Sequence, residues 1–325
     1  MSKILKKSFE SEPLSREEAL EILDLPDDRL PELLDIVYAI RRKHKGNTVG
    51  IQILTNARSG SCSQNCAYCA QSRDSEADID KYSLVPYEKL LHDGRVARDS
   101  RLARHCIGLS GMRFGDAEIE AFAGQVRALK KEFDTQICCS IGFLTPAQAR
   151  KLKDAGVNRI NHNLNTSRNF YGNICTTHSY DERIANIRML QGVGFEICCG
   201  GIVGMGESRA DVADMLLDIR ELQPQSVPVN FLIPLEGTAL AGADTSHLTP
   251  EYCLKILCLA RLLTPKSDIR CAAGREIYLK GREKSMFCAA DSIFASGYLT
   301  ADGQSVDEAI KLITDAGFEY RIESA

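Results

Sequence analysis

The residues richest in chemistry in this 325-residue chain are its cysteines, 13 in all. Cys62, Cys66 and Cys69 stand in a C-x3-C-x2-C run, Cys-Ser-Gln-Asn-Cys-Ala-Tyr-Cys. Three soft thiolates this close suit three irons of a cubane 4Fe–4S cluster and leave the fourth iron open. An open iron can chelate the amino and carboxylate groups of S-adenosylmethionine and pass an electron to its sulfonium. The cleavage gives a 5'-deoxyadenosyl radical, which can take hydrogen from an unactivated carbon. Zinc is the competing reading. It takes four ligands, commonly from two C-x2-C pairs, so the x3 then x2 spacing fits it poorly.

A loop with this task needs a rigid scaffold. From about residue 48 the pattern is strand then helix, repeated. Short apolar runs at 49–54, 105–109, 136–141, 157–164, 196–203, 227–232, 268–272 and 289–295 predict eight strands. Amphipathic stretches at 117–131, 146–155, 180–191, 209–222 and 250–263 predict intervening helices, and glycines such as Gly156 and Gly194 follow them as C-terminal caps do. Such alternation implies parallel strands with right-handed crossovers, and eight units imply an α/β fold, a (β/α)8 TIM-type barrel. A doubly wound open sheet is the alternative. The cysteine loop follows the first strand, and barrel sites lie on loops at the C-terminal ends of strands. Residues 1–46 read as an N-terminal helical extension opened by the capping box Ser15-x-x-Glu18. Residues 47–320 form the barrel and 321–325 a loose tail.

The chain is 44% hydrophobic, enough for a large core, and carries a formal net charge of −4. That charge offers nothing to nucleic acid or an anionic membrane. The basic run Arg41 to Lys45 reads as the solvated end of a helix. No window of roughly 18 apolar residues predicts a membrane span, and the N-terminus lacks the apolar region of a signal peptide. The chain is therefore expected in the cytoplasm, where many cysteines mean metal or redox chemistry rather than disulfides.

Further blocks narrow the reading: Tyr68-Cys-Ala-Gln-Ser72, Asn161-His-Asn-Leu-Asn165-Thr-Ser, Phe170-Tyr-Gly-Asn-Ile174, Gly200-Gly-Ile-Val-Gly-Met-Gly-Glu207, Ser226-Val-Pro-Val-Asn230 and Ala273-Gly-Arg-Glu276. In order and spacing they resemble the biotin synthases, from the N-terminal helices through the last barrel unit. The resemblance implies insertion of sulfur between two saturated carbons of dethiobiotin, with two S-adenosylmethionine molecules consumed and an auxiliary iron–sulfur cluster as sulfur donor. It implies 2Fe–2S ligation by Cys106, Cys138, Cys198 and the unusual Arg270. Taken singly, each of these cysteines would be a small buried hydrophobe. It further implies that Arg183 pairs with the carboxylate of S-adenosylmethionine, that Gly204 and Glu207 belong to the adenine region, and that Asn161, Asn163 and Asn230 contact the ureido ring. The implied partners are an electron donor such as flavodoxin or ferredoxin and a second copy in a homodimer. The alternatives are another radical enzyme of the hydrogenase maturase or methylornithine synthase type, and a non-catalytic iron–sulfur carrier.

The residues themselves agree in part. Asn161, Asn163 and Asn165 alternate, so on one strand they share a face, and amides offer a neutral ureido ring donors and acceptors together. Tyr68 can lay its ring near the adenine. In the family the third of these positions, usually aspartate, holds the ribose hydroxyls; Asn165 can do so without charge assistance. His162, between them, should face outward. A departure from the family pattern lies in Cys139, Cys199 and Cys271, each next to an expected ligand. Neighbours on a strand point to opposite faces, which would place these thiols under the helices. At a strand end or bulge both could turn inward, enlarging the auxiliary cluster to a four-iron type in which Cys271 takes the place of Arg270. Cys175, Cys253, Cys258 and Cys288 read as packing residues, and Arg275 with Glu276 as a stabilising pair at the barrel end.

Overall fold

The computed structural model describes residues 7, 12–100, 102, 104–295, 299 and 303–321. Two helices lead in: α1 (Arg16–Leu23) and α2 (Leu30–Lys45). Ser15 caps α1 as expected: its hydroxyl accepts from the Glu18 amide, and the Glu18 carboxylate accepts from the Ser15 amide.

The barrel strands are β1 (Thr48–Arg58), β2 (Arg104–Leu109), β3 (Ile137–Ser140), β4 (Arg159–Asn161), β5 (Glu196–Cys198), β6 (Gly201–Val203), β7 (Ser226–Phe231), β8 (Asp268–Cys271) and β9 (Ser292–Ala295). Every pairing between neighbours is parallel, and β9 returns to β1, closing the ring. β5 and β6 count as one interrupted strand, since both run in the same register against β7, Cys198 opposite Ser226 and Gly201 opposite Val229. All eight predicted strands are present, and the (β/α)8 barrel stands.

The helices α3 (Tyr87–Asp99), α4 (Asp116–Glu132), α5 (Pro146–Asp154), α6 (Tyr171–Ile174), α7 (Tyr180–Gly192), α8 (Arg209–Leu222), α9 (Pro250–Leu263), α10 (Arg275–Tyr278) and α11 (Val306–Asp315) cover the sheet. Sequence patterning missed α3, which buries only Leu90, Gly94 and Ala97, and α11, which buries only Ala309 and Ile313. The apolar positions of α11 do fall on one face, with Val306, Ile310 and Leu312 packed beside Ala309 and Ile313, so its periodicity was there to be read. A short β10 (Glu319–Tyr320) adds a further parallel pairing to the start of β1.

Two expectations about charge need correction. Arg41 is not solvated: its guanidinium is fully buried and donates to the carbonyls of Ala290, Gly46 and Thr48. Carbonyls at strand starts have no ladder partner, and a planar five-donor group satisfies three at once. Lys45 likewise reaches Asp268 at 2.8 Å. Arg321, expected to open a loose tail, is tied by its amide to the Val49 carbonyl and by its guanidinium to Asp291. Residues 322–325 lie outside the described residues.

Candidate active site

The long β1 delivers the chain to the cysteine loop at the barrel's C-terminal rim. Within it Cys69 donates its amide to the Cys66 carbonyl at 3.1 Å, a turn that links these two ligand positions. None of the 13 cysteines forms a disulfide. Burial pushes the Cys69 thiol up to about 11, while the Gln71 and Ser72 amides act against it by bonding the sulfur. Backbone amides aimed at a free cysteine sulfur favour its anionic form, which is the form that holds iron. The loop therefore fits a three-thiolate cluster site.

Cys62, Cys66 and Cys69 line one rim of a cavity of about 400 Å³ that runs into the barrel. Cys106 and Cys138 line its floor, and with Cys198 just behind them they form a separate buried cluster beside Leu54 and Phe294. Cys106 and Cys138 are register partners on adjacent strands, and Cys198 comes from β5. Arg270, 1% exposed, donates to Cys198 Sγ at 3.6 Å, to the Ser292 hydroxyl through Nε at 3.3 Å and to the Ser226 hydroxyl at 3.2 Å, and it stacks on Phe294. Contact with Cys138 draws the Cys106 thiol down, and Arg270 acts the same way against burial. Three thiols around a buried guanidinium fit an anionic iron–sulfur group. Gln52, whose side-chain oxygen lies 3.2 Å from Cys106 Sγ, and Arg159, two residues before Asn161, complete this floor. Strand alternation from Leu54 and Asn161 puts both on the inner face, a signal the sequence reading did not use.

Cys139, Cys199 and Cys271 do not join this group. All three are fully buried in the outer layer between sheet and helices, and none lines the cavity. Cys271, expected as a possible replacement for Arg270, faces away because neighbours on β8 alternate and no bulge turns it inward. The register of β7 with β8 runs unbroken from Ser226↔Asp268 to Val229↔Cys271.

Asn161, Asn163 and Asn165 line the cavity wall above the floor. The Asn161 amide reaches Cys198 Sγ at 3.2 Å and Asn163 Oδ1 at 3.3 Å, which puts the amide row against the thiol floor. Asn165 has φ +73° and gives its amide to the Tyr68 hydroxyl at 2.7 Å. Asparagine tolerates this left-handed backbone better than most residues. Asn230 lines the cavity too, while bonding the Gly201 carbonyl and the Ala273 amide. Arg183 closes one side, held by the Tyr171 hydroxyl, the Asn163 carbonyl at 3.0 Å and His178.

Gly204 and Glu207 are not brought to the cavity wall. Glu207 turns back on its own loop and accepts from the amides of Gly204 and Met205 at 2.7 and 2.8 Å; Ile202 faces the cavity instead. His162 does not face away: it lines the cavity with its ring edge-on to Phe143. Cys253, Cys258 and Cys288 pack in the outer core, and Arg275 pairs with Glu276 at 2.9 Å. Cys175 is no plain packing residue. It lies with His178 against Cys66.

A parallel barrel with a three-cysteine loop at its rim belongs to a known class. The profile of the radical SAM superfamily matches residues 56–219, and that of the biotin and thiamin synthesis associated domain matches residues 228–319. Solved structures agree on the fold. Methylornithine synthase superposes with a TM-score of 0.84 at 19% identity, covering 98% of this chain and 97% of that one. The FeFe-hydrogenase maturase of Carboxydothermus hydrogenoformans gives 0.84 at 17%, covering 100% and 80%. The nearer likeness is by sequence. A biotin synthase of Geobacillus kaustophilus is 42% identical over 312 residues, 96% of this chain and 93% of the relative. One of Bacillus subtilis is 40% identical over 303 residues, 93% and 90%. The chain belongs to the biotin synthase family, and it is a radical SAM enzyme of that type. Among the described residues no helix is long and apolar enough to cross a membrane.

Proposed function

We propose that this chain converts dethiobiotin to biotin, with Cys62, Cys66 and Cys69 holding a 4Fe–4S cluster and Cys106, Cys138, Cys198 and Arg270 holding a 2Fe–2S cluster. The observation that carries the reading is the contact between Asn161 and Cys198: the amide wall of the cavity touches the thiol cluster at its base. A ureido ring held by Asn161, Asn163 and Asn230 would present its carbons to whatever the floor binds.

When bound, the rim cluster and S-adenosylmethionine supply the radical, and the floor cluster supplies sulfur. The chain's own residues do the rest. Arg183, already charged and held by three partners, pairs with the cosubstrate carboxylate. Tyr68 and Asn165, joined by a hydrogen bond, meet its adenine and ribose. The amides match the ureido donors and acceptors and fix which carbons face the floor. Outward placement of Cys139, Cys199 and Cys271 supports the two-iron form over a four-iron one. A flavodoxin or ferredoxin as electron donor, a cytoplasmic setting and a homodimer complete the proposal, on the family resemblance alone.

Anaerobic reconstitution with iron and sulfide counting tests it. Two spectroscopically distinct clusters per chain are expected, and one cluster per chain contradicts the reading.

A further inference from the structure

Beside the rim loop, one ligand position is joined to two side chains that the reaction does not use: Cys66 with Cys175 and His178, all buried, with their ligand atoms within 4.8 Å of one another. Their spacing would admit a metal ion, but their protons do not. Arg183 has no acceptor, so its contact with His178 Nε2 at 2.7 Å makes that nitrogen the acceptor. The ring proton then sits on Nδ1, which faces Gln64 Oε1 at 2.9 Å and Cys175 Sγ at 3.3 Å. Neither nitrogen is left to bind a metal.

We propose that Cys175 donates a hydrogen bond to the sulfur of Cys66 when Cys66 holds iron, and that this bond raises the reduction potential of the rim cluster. The inference rests on the reading of Cys62, Cys66 and Cys69 as cluster ligands. Cys175 Sγ lies 3.8 Å from Cys66 Sγ, a sulfur hydrogen bond in which the free Cys66 thiol is the donor; a Cys66 bound to iron has lost that proton and can only accept. The other acceptors near it are Thr177 Oγ1 at 3.4 Å and Asn65 Oδ1 at 3.5 Å. The Asn65 oxygen already takes the Thr176 amide at 3.0 Å and the Thr177 hydroxyl at 3.1 Å, which fills its two lone pairs. Thr177 Oγ1, which also accepts the Asn65 amide at 3.2 Å, is a neutral hydroxyl, so an iron-bound Cys66 thiolate, which carries charge, is the stronger acceptor for the Cys175 proton. His178 Nδ1–H, on the other side, keeps the Cys175 sulfur in place as an acceptor. A hydrogen bond to a cluster sulfur favours the more negative, reduced state. Cys175 is a positioning and tuning residue here, touching no substrate.

The test is a redox titration followed by electron paramagnetic resonance on reconstituted protein. Cys175→Val keeps the bulk and removes the donor. Its reduced-to-oxidised ratio at a fixed potential should fall roughly tenfold, a midpoint about 59 mV lower for a one-electron couple. Cys175→Ser keeps a donor and should return toward wild type, which a packing role would not predict. If Cys175→Val does not take up iron, Cys175→Ala makes the same comparison without steric demand. A variant that loads the same iron and sulfide yet titrates with the wild type, or reduces more easily, overturns the inference and leaves the ligand assignment standing. A wild-type protein with no reducible four-iron cluster sinks the ligand assignment itself.

Discussion

Cys271→Ala should leave both clusters in place. The side chain is fully buried but lies in the outer layer with Cys253 as a neighbour, on the opposite face of β8 from Arg270. Losing one sulfur there leaves a small cavity and costs about 1 kcal/mol, as single-methylene deletions do. Unfolding entropy for 325 residues is about 0.7 kcal/mol/K, so Tm falls by about 1–2 °C. Cys198→Ala removes a thiol that touches both Asn161 and Arg270, and Arg270→Ala leaves the Ser226 hydroxyl without its buried donor. Both should lose the auxiliary cluster while the rim cluster stays. The assay is iron and sulfide counting with visible and paramagnetic resonance spectra after anaerobic reconstitution. An auxiliary spectrum that vanishes in Cys271→Ala and survives in Arg270→Ala would refute the inward and outward assignment.

Other sites give sharp outcomes. Asn161→Ala should lower kcat/KM for dethiobiotin about five- to tenfold through loss of one amide contact, with unchanged cluster content; an unaltered value would remove Asn161 from the substrate wall. Asp291, fully buried, pairs with fully buried Arg261 and accepts the Ile269 amide at 2.8 Å. Asp291→Ala strands the guanidinium and should cost about 3–5 kcal/mol, read by calorimetry as a Tm lower by about 4–7 °C. His105 is held down to about 4, chiefly by burial, with Asp93 acting against it. Its folded value lies below the unfolded one, so its stability contribution is complete above about 6.5 and is lost as pH falls toward 4. Cluster-free protein should lose about 2 kcal/mol between pH 7 and 5 from this group, and His105→Asn should flatten that slope.

The barrel was legible because eight apolar runs of strand length recur between helical stretches, and parallel strands buried on both faces read as such runs. The three-cysteine loop was legible because its ligands are close in sequence. The floor was half legible: family likeness brought Cys106, Cys138, Cys198 and Arg270 together, but spacing could not tell whether Cys271 turned inward. An unbroken β7–β8 register settles which face it takes. Arg41 was misread because a basic run at a helix end is normally solvated, and only the closed barrel shows the carbonyls that need it. The partners of Glu207 were not legible for a related reason. A loop carboxylate can bind its own backbone as readily as a ligand, and sequence does not say which. Cys175 was read as a packing residue and His178 was not singled out, because their partners Cys66 and Gln64 lie 109 and 114 residues away.

The most direct measurement is a strictly anaerobic incubation of reconstituted protein with S-adenosylmethionine, a reductant and dethiobiotin, with products resolved by mass spectrometry. Biotin should form together with 5'-deoxyadenosine, and 9-mercaptodethiobiotin should precede it. Formation of 5'-deoxyadenosine with neither sulfur-containing product would contradict the assignment of the cavity to dethiobiotin.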